Sequence, residues 1–263
     1  MTVQKSKNEV RVSEAGGMEA VVRAMEKHAA HAGVQEAACR ALGNMTFYKE
    51  ILAEANQIRA AAAGGIEGVV RAMVRHRRDL KVQKSTCRAL RSMTSGDKEN
   101  RVRAGAAGGI EAVVKGMKKH GENPEVQEAA CGALGSMTAG NRKTQERANK
   151  AGGVEAVVRA MEKHGNHAAV QEAACKSLHR LTAGNKENKV KADAAGGVEA
   201  VVRAMQQHGE NAGLQEAACR ALISMSNNNA GIRQRVASLD GMDMARRAFE
   251  VHQLSVAQQL VSQ

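Results

Sequence analysis

The sequence predicts an all-α solenoid, a rod of stacked helical units rather than a closed globule. Three observations carry that expectation. The phrase Gly-Gly-[Met/Ile/Val]-Glu-[Ala/Gly]-Val-Val recurs with its second glycine at Gly17, Gly65, Gly109, Gly153 and Gly197, in steps of 48, 44, 44 and 44 residues, and a degenerate sixth copy begins at Gly241. Periods of this length belong to units that cannot bury their own apolar face and must stack on a neighbour. The 263 residues include one Pro, one Tyr, two Phe and no Trp, so helix formers dominate and strand formers are scarce. Within each unit, apolar residues recur at helical spacing. We read a single array over 1–263, with units at about 5–46, 53–96, 97–140, 141–184 and 185–228 and a partial unit at 229–263.

The third unit shows how each element arises. Gly96-Asp97 is expected to end one helix and cap the next, glycine through a left-handed turn and aspartate by accepting from free backbone N–H groups. A short helix, Lys98 to Ala107, follows. Gly108-Gly109 permits a sharp change of direction. A second helix then runs from about Ile110 to His120, with Ile110, Val113, Val114 and Met117 on one face. The third helix opens at Asn123-Pro124, a cap followed by proline in the first turn, where its missing N–H is not needed. Its stripe is Val126, Ala129, Ala130, Ala133, Leu134 and Met137.

Three helices in 44 residues, short then medium then long, resemble the armadillo repeat. The wording is similar too. Ala-Gly-Gly-Val-Glu-Ala-Val-Val-Arg-Ala-Met at 151–161 looks like that family's second helix, and Val-Gln-Glu-Ala-Ala-Cys-Arg-Ala-Leu-Gly-Asn-Met at 34–45 like its third. The resemblance spans about residues 5 to 250. It implies a right-handed superhelix of about five armadillo repeats plus a degenerate sixth, whose third helices line a concave groove used to hold an extended segment of another protein. Members that read nuclear-import signals carry a third-helix tryptophan and asparagine. Here the tryptophan positions hold Arg40, Arg88, Gly132, Lys176 and Arg220, and the asparagine positions hold Asn44, Ser92, Ser136, Arg180 and Ser224. Positive charge in place of aromatic slots would repel a Lys/Arg-rich signal.

Charge sharpens the expected partner. The chain carries +12, and residues 53–96 hold nine Lys/Arg against three Asp/Glu, half of that surplus. On most third helices acid precedes base by four, as in Glu36 with Arg40, Glu172 with Lys176 and Glu216 with Arg220, a self-neutralising arrangement. The second unit breaks it with Lys84, Arg88 and Arg91. Beside it, four extra residues after Thr46 bring Phe47 and Tyr48, two of the three aromatic residues. Aromatic anchors flanked by cations suit a binding face; the alternative is that both rings fill the wider gap between units. The candidate partner-binding set is therefore Arg40, Asn44, Phe47, Tyr48, Lys84, Arg88, Arg91, Lys176 and Arg220.

Second-helix pairs four apart, Glu19 with Arg23, Glu67 with Arg71, Glu111 with Lys115, Glu155 with Arg159 and Glu199 with Arg203, are expected to be solvated intrahelical ion pairs. His28, His76, His120, His164, His208 and His252 form a ladder one repeat apart, too far to converge on a metal, and are expected to act as donors at the helix C-terminus. Cys39, Cys87, Cys131, Cys175 and Cys219 share one phase. Helices side by side lie about 8–10 Å apart whereas bridged Cα atoms need about 7 Å, so the cysteines are expected to be unpaired, buried and in a reducing compartment, cytoplasmic or similar.

No phosphate-binding glycine loop, nucleophile–base arrangement or close cysteine pair appears, and we expect neither enzyme activity nor a cofactor or metal. The expected function is a protein-binding adaptor for an acidic or extended partner segment. A subunit permanently docked in a larger assembly is an alternative. A basic nucleic-acid-associated solenoid is another, since pI 9.8 attracts phosphates, but three aromatic residues are few for stacking bases. No run has the length of a membrane-spanning helix.

Overall fold

A computed structural model describes residues 15–47 and 52–261, and among them the backbone forms helices and turns without strands. The helices α1 (Gly17–Lys27) and α2 (Ala32–Thr46) lead into four triplets. These are α3 (Leu52–Ala62), α4 (Gly65–Arg75) and α5 (Leu80–Thr94); α6 (Lys98–Ala106), α7 (Gly109–Lys119) and α8 (Pro124–Thr138); α9 (Arg142–Ala151), α10 (Gly153–Lys163) and α11 (Ala168–Thr182); and α12 (Lys186–Ala194), α13 (Gly197–Gln207) and α14 (Ala212–Ser226). The helices α15 (Ala230–Ser238), α16 (Gly241–His252) and the seven-residue α17 (Ser255–Val261) follow. The third helices α2, α5, α8, α11 and α14 pack one against the next, and a single apolar core built largely of Ala, Val, Met and Leu runs along the array.

The two adjacent glycines do different jobs. Gly108 sits at φ 83°, a left-handed geometry that disfavours any side chain, and it turns the chain from α6 into α7. A Cβ on Gly109 would lie 2.9 Å from the Ala104 carbonyl, so its missing side chain lets the two helices close on each other. Gly96 corrects an expectation: its φ is not left-handed, and Ser95 ends α5 in ordinary helical geometry. Glycine leaves room there for Gln57, whose Oε1 would lie 2.8 Å from a Cβ and accepts the Gly96 N–H at 3.2 Å. Asp97 does cap α6, accepting from Glu99 and Asn100, and Asn123 caps α8 with Pro124 in its first turn.

Polar ladders fasten the units. A helix ends with unsatisfied carbonyls, and a buried glutamine on each third helix supplies the missing donor. Gln127 Nε2 donates to Met117 O at 3.0 Å and His120 O at 2.9 Å; Gln35, Gln83, Gln171 and Gln215 repeat the arrangement on α1, α4, α10 and α13. The histidines at the second-helix ends do act as donors, but to the preceding unit. His76, His120, His164, His208 and His252 place Nε2 2.7–2.9 Å from the carbonyls of Ala29, Arg77, Gly121, Gly165 and Gly209, which requires the proton on Nε2.

At Glu67, Glu111 and Glu199 the expected second-helix ion pair gives way to a longer link. Glu67 pairs with Arg103 through two contacts of 2.6 and 3.2 Å, Glu111 with Arg147 at 2.5 Å, and Glu199 with Arg235 at 2.9 Å. None of the expected pairs four apart closes within ion-pair distance among the described residues. In these three cases the stacked first helix of the next unit presents an arginine to the same carboxylate, and at Glu67 its bidentate fork outcompetes a solvated neighbour one turn away. All five cysteines are free and buried, and burial raises the thiols of Cys39, Cys87, Cys131 and Cys219 to about 12.

Candidate partner-binding face

The third helices form a continuous stack along the array, and most of the sequence-predicted binding residues lie on it. Arg40 is exposed and held 3.4 Å from Glu36. Lys176 pairs with Glu172, and Arg220 with Glu216 at 2.7 Å. These three cations are largely cancelled by the carboxylate one turn before them, as their spacing predicts. Asn44 is exposed one turn beyond Arg40.

The second unit differs. Lys84 reaches Glu125, at the start of α8, at 2.5 Å, so its charge links two units instead of pointing freely outward. The Lys84 hydrogen bond and charge, with a smaller contribution from Arg88, hold the Glu125 carboxyl below its ordinary range. Arg88 and Arg91 are exposed and make no ion pair within 4 Å among the described residues. Phe47 ends α2 with 65% of its surface exposed, which is not the posture of a gap-filling side chain. Tyr48 lies outside the described residues.

A residue not selected from the sequence belongs to this face. Arg180, on α11, is half-buried, and burial together with Arg91 and Arg101 pulls its guanidinium below the usual range. Between Arg91 and Arg180, α8 carries only Gly132 and Gly135 at the outward positions. A Cβ on Gly132 would lie 3.0 Å from Arg91 Cδ, and one on Gly135 would lie 3.6 Å from Arg180 Cδ. The available signal was the pair of glycines, Gly132 standing where the other units carry Arg or Lys and Gly135 where they carry Gly43, Arg91, His179 and Ile223.

Catalytic geometry is thin here. His179 Nδ1 lies 2.5 Å from Ser224 Oγ, but burial, with Arg180 and Arg220 nearby, lowers the imidazole's proton affinity against a partly offsetting backbone hydrogen bond at Arg220. Among the described residues no carboxylate orients that histidine and no three His, Cys, Asp or Glu side chains converge on a metal position. A cavity of about 720 Å³ lies elsewhere, between α1 and α4, where Met25, Gly68 and Val74 line it and the Glu26–Arg71 ion pair flanks it. No described helix is long and apolar enough to cross a membrane.

Comparison with known proteins places this geometry. The family described as LRRK2 ARM repeat matches residues 2–184. The chain is similar to the crystal structure of an engineered protein at 24% identity and a TM-score of 0.79, covering 94% of each chain. A second engineered protein matches at 26% identity and a TM-score of 0.81, covering 97% of this chain and 59% of that one. A designed armadillo repeat protein solved in complex with the peptide (KR)4 matches at 17% identity and a TM-score of 0.76, covering 93% and 96%. No curated protein matches.

Proposed function

The chain belongs to the LRRK2 ARM repeat family, and from that premise we propose that it is a non-enzymatic scaffold that holds an acidic, extended segment of a partner protein along its third-helix face, the concave wall of the armadillo superhelix. The observation that carries this reading is the uneven charge of that face. Its outer cations are cancelled by their own glutamates, whereas Arg88, Arg91 and Arg180 around its middle have no ion-paired carboxylate among the described residues. The structurally similar designed protein was solved with a Lys/Arg peptide. At a net charge of +12, the opposite preference follows for this chain. Phe47 and Asn44, exposed at the end of α2, extend the face with an apolar anchor and an amide able to bond a peptide backbone.

Anisotropy of a labelled twelve-residue Asp/Gly peptide measures the reading directly. The intact chain should bind it in preference to a Lys/Arg peptide of equal length. The charge-reversed K84E/R88E variant should lose about tenfold in affinity and show a flatter salt dependence. Equal affinity for the two peptides, or unchanged binding by the variant, overturns the proposal.

A further inference from the structure

The middle of the third-helix face contains a local arrangement found in no other described unit. At the two outward positions of α8 the sequence supplies Gly132 and Gly135, while the same phases hold Arg40, Arg88, Lys176 and Arg220, and Gly43, Arg91, His179 and Ile223, elsewhere. Both glycines are nonetheless buried. Gly132 is covered by the Arg91 side chain from α5, whose Cδ would stand 3.0 Å from a Cβ, whereas Gly135 closes on α11, whose Ser177 Cα would stand 3.1 Å and Arg180 Cδ 3.6 Å from a Cβ. The missing side chains let Arg91 and Arg180, from two non-adjacent units, reach over the unit between them.

The charge balance of this arrangement is one-sided. Arg101 closes one end, its guanidinium fixed by the carbonyls of Thr94, Ser95 and Ala139 at 2.8–2.9 Å, acceptors that orient it without cancelling its charge. Neighbouring acids are committed elsewhere: Glu125 to Lys84 and Glu172 to Lys176. Glu128, on α8 itself, makes no ion pair within 4 Å with either arginine. Arg91 is exposed, but Arg180 is a half-buried charge with no ion-paired carboxylate among the described residues, which is unfavourable as it stands.

Building on the peptide-holding function above, we propose that Arg91 and Arg180, meeting over Gly132 and Gly135, form a site for a phosphorylated serine or threonine side chain of the bound segment. A carboxylate would balance one of the two free guanidiniums. A phosphomonoester carries about −1.5 to −2 near neutral pH and offers three acceptor oxygens, which suits two guanidinium forks. The rigid Arg101 supplies a third positive wall.

The alternative role for these side chains is purely structural, their aliphatic stems roofing the glycines. Glutamine variants retain part of the stem and remove the charge, so R91Q/R180Q separates the two roles, with thermal unfolding showing that the variant folds. The probes are a labelled nine-residue peptide, Gly-Ala-Asp-Ala-Ser-Ala-Asp-Ala-Gly, its form phosphorylated on serine, and a single-stranded RNA of equal net charge. The intact protein should bind the phosphorylated form about tenfold more tightly than the unphosphorylated one, a preference of the size expected for a charge-assisted bidentate contact. Inorganic phosphate should compete. The preference should vanish in R91Q/R180Q and survive in R159Q/R203Q, which removes two exposed second-helix cations away from this face. A preference retained in R91Q/R180Q, lost equally in R159Q/R203Q, or exceeded by the RNA overturns the site. Binding of the plain peptide without any gain from phosphate removes this site and leaves the groove function standing; binding of neither peptide removes both.

Discussion

At the scale of single residues, the strongest local device is the glutamine that closes each second helix. Gln127 is buried and gives both amide hydrogens to carbonyls that would otherwise face a dry interior. Gln127→Ala leaves those carbonyls without donors and should destabilise the fold by about 1–3 kcal/mol, measurable as a lowered midpoint in urea. Loss of the same size at an exposed site such as Arg40→Ala would show that the effect is not specific to the buried amide. The glutamines recur at Gln35, Gln83, Gln127, Gln171 and Gln215 with the same steps as the glycines, so their periodicity was plain in the sequence. Their role was not, because each bond reaches back ten and seven residues around a turn. The histidine ladder was legible as a set of helix-end donors. That each ring bridges to the previous unit required the stacking to be known.

At the scale of elements, neighbouring units are held by carboxylate–arginine links between a second helix and the next first helix. Burial tends to raise the Glu67 carboxyl, but the Arg103 hydrogen bond, a backbone hydrogen bond and the charges of Arg103 and Arg71 outweigh it and hold the group below its ordinary range. A depressed folded-state value means that the stabilisation is complete above the unfolded carboxylate range and fades as the pH falls through the folded value. The melting temperature of the wild type should therefore exceed that of Glu67→Gln at neutral pH, and the two should converge as carboxylates protonate. A gap that widens on acidification would contradict the link. The spacing of Glu67 and Arg71 had suggested a pair on one helix, a choice that local geometry allows and that packing overrules.

For the whole molecule, stability should follow burial along the array, since each unit is supported by its neighbours and the described helices differ in how many residues they bury. In hydrogen exchange, α8, with twelve of its fifteen residues buried, should be the slowest to exchange, and α1 and α16, with few buried residues, the fastest. Uniform protection from α1 to α17 would indicate one all-or-none unit instead. The same gradient bears on binding. The site around Gly132 and Gly135 sits in the best-supported part of the array, where guanidiniums can be held in place before a ligand arrives.

The sequence by itself determined the period, the three helices per unit, the caps at Asp97 and Asn123, the steep turn at Gly108-Gly109 and the phase of the buried cysteines, because each follows from backbone sterics and helical spacing within about a dozen residues. Only the tertiary structure decided which charges meet. Glu67 finds Arg103, Lys84 finds Glu125, and Arg91 and Arg180 come together over two glycines, since long side chains at equal sequence spacing have several partners in reach and the angle at which one unit stacks on the next selects among them.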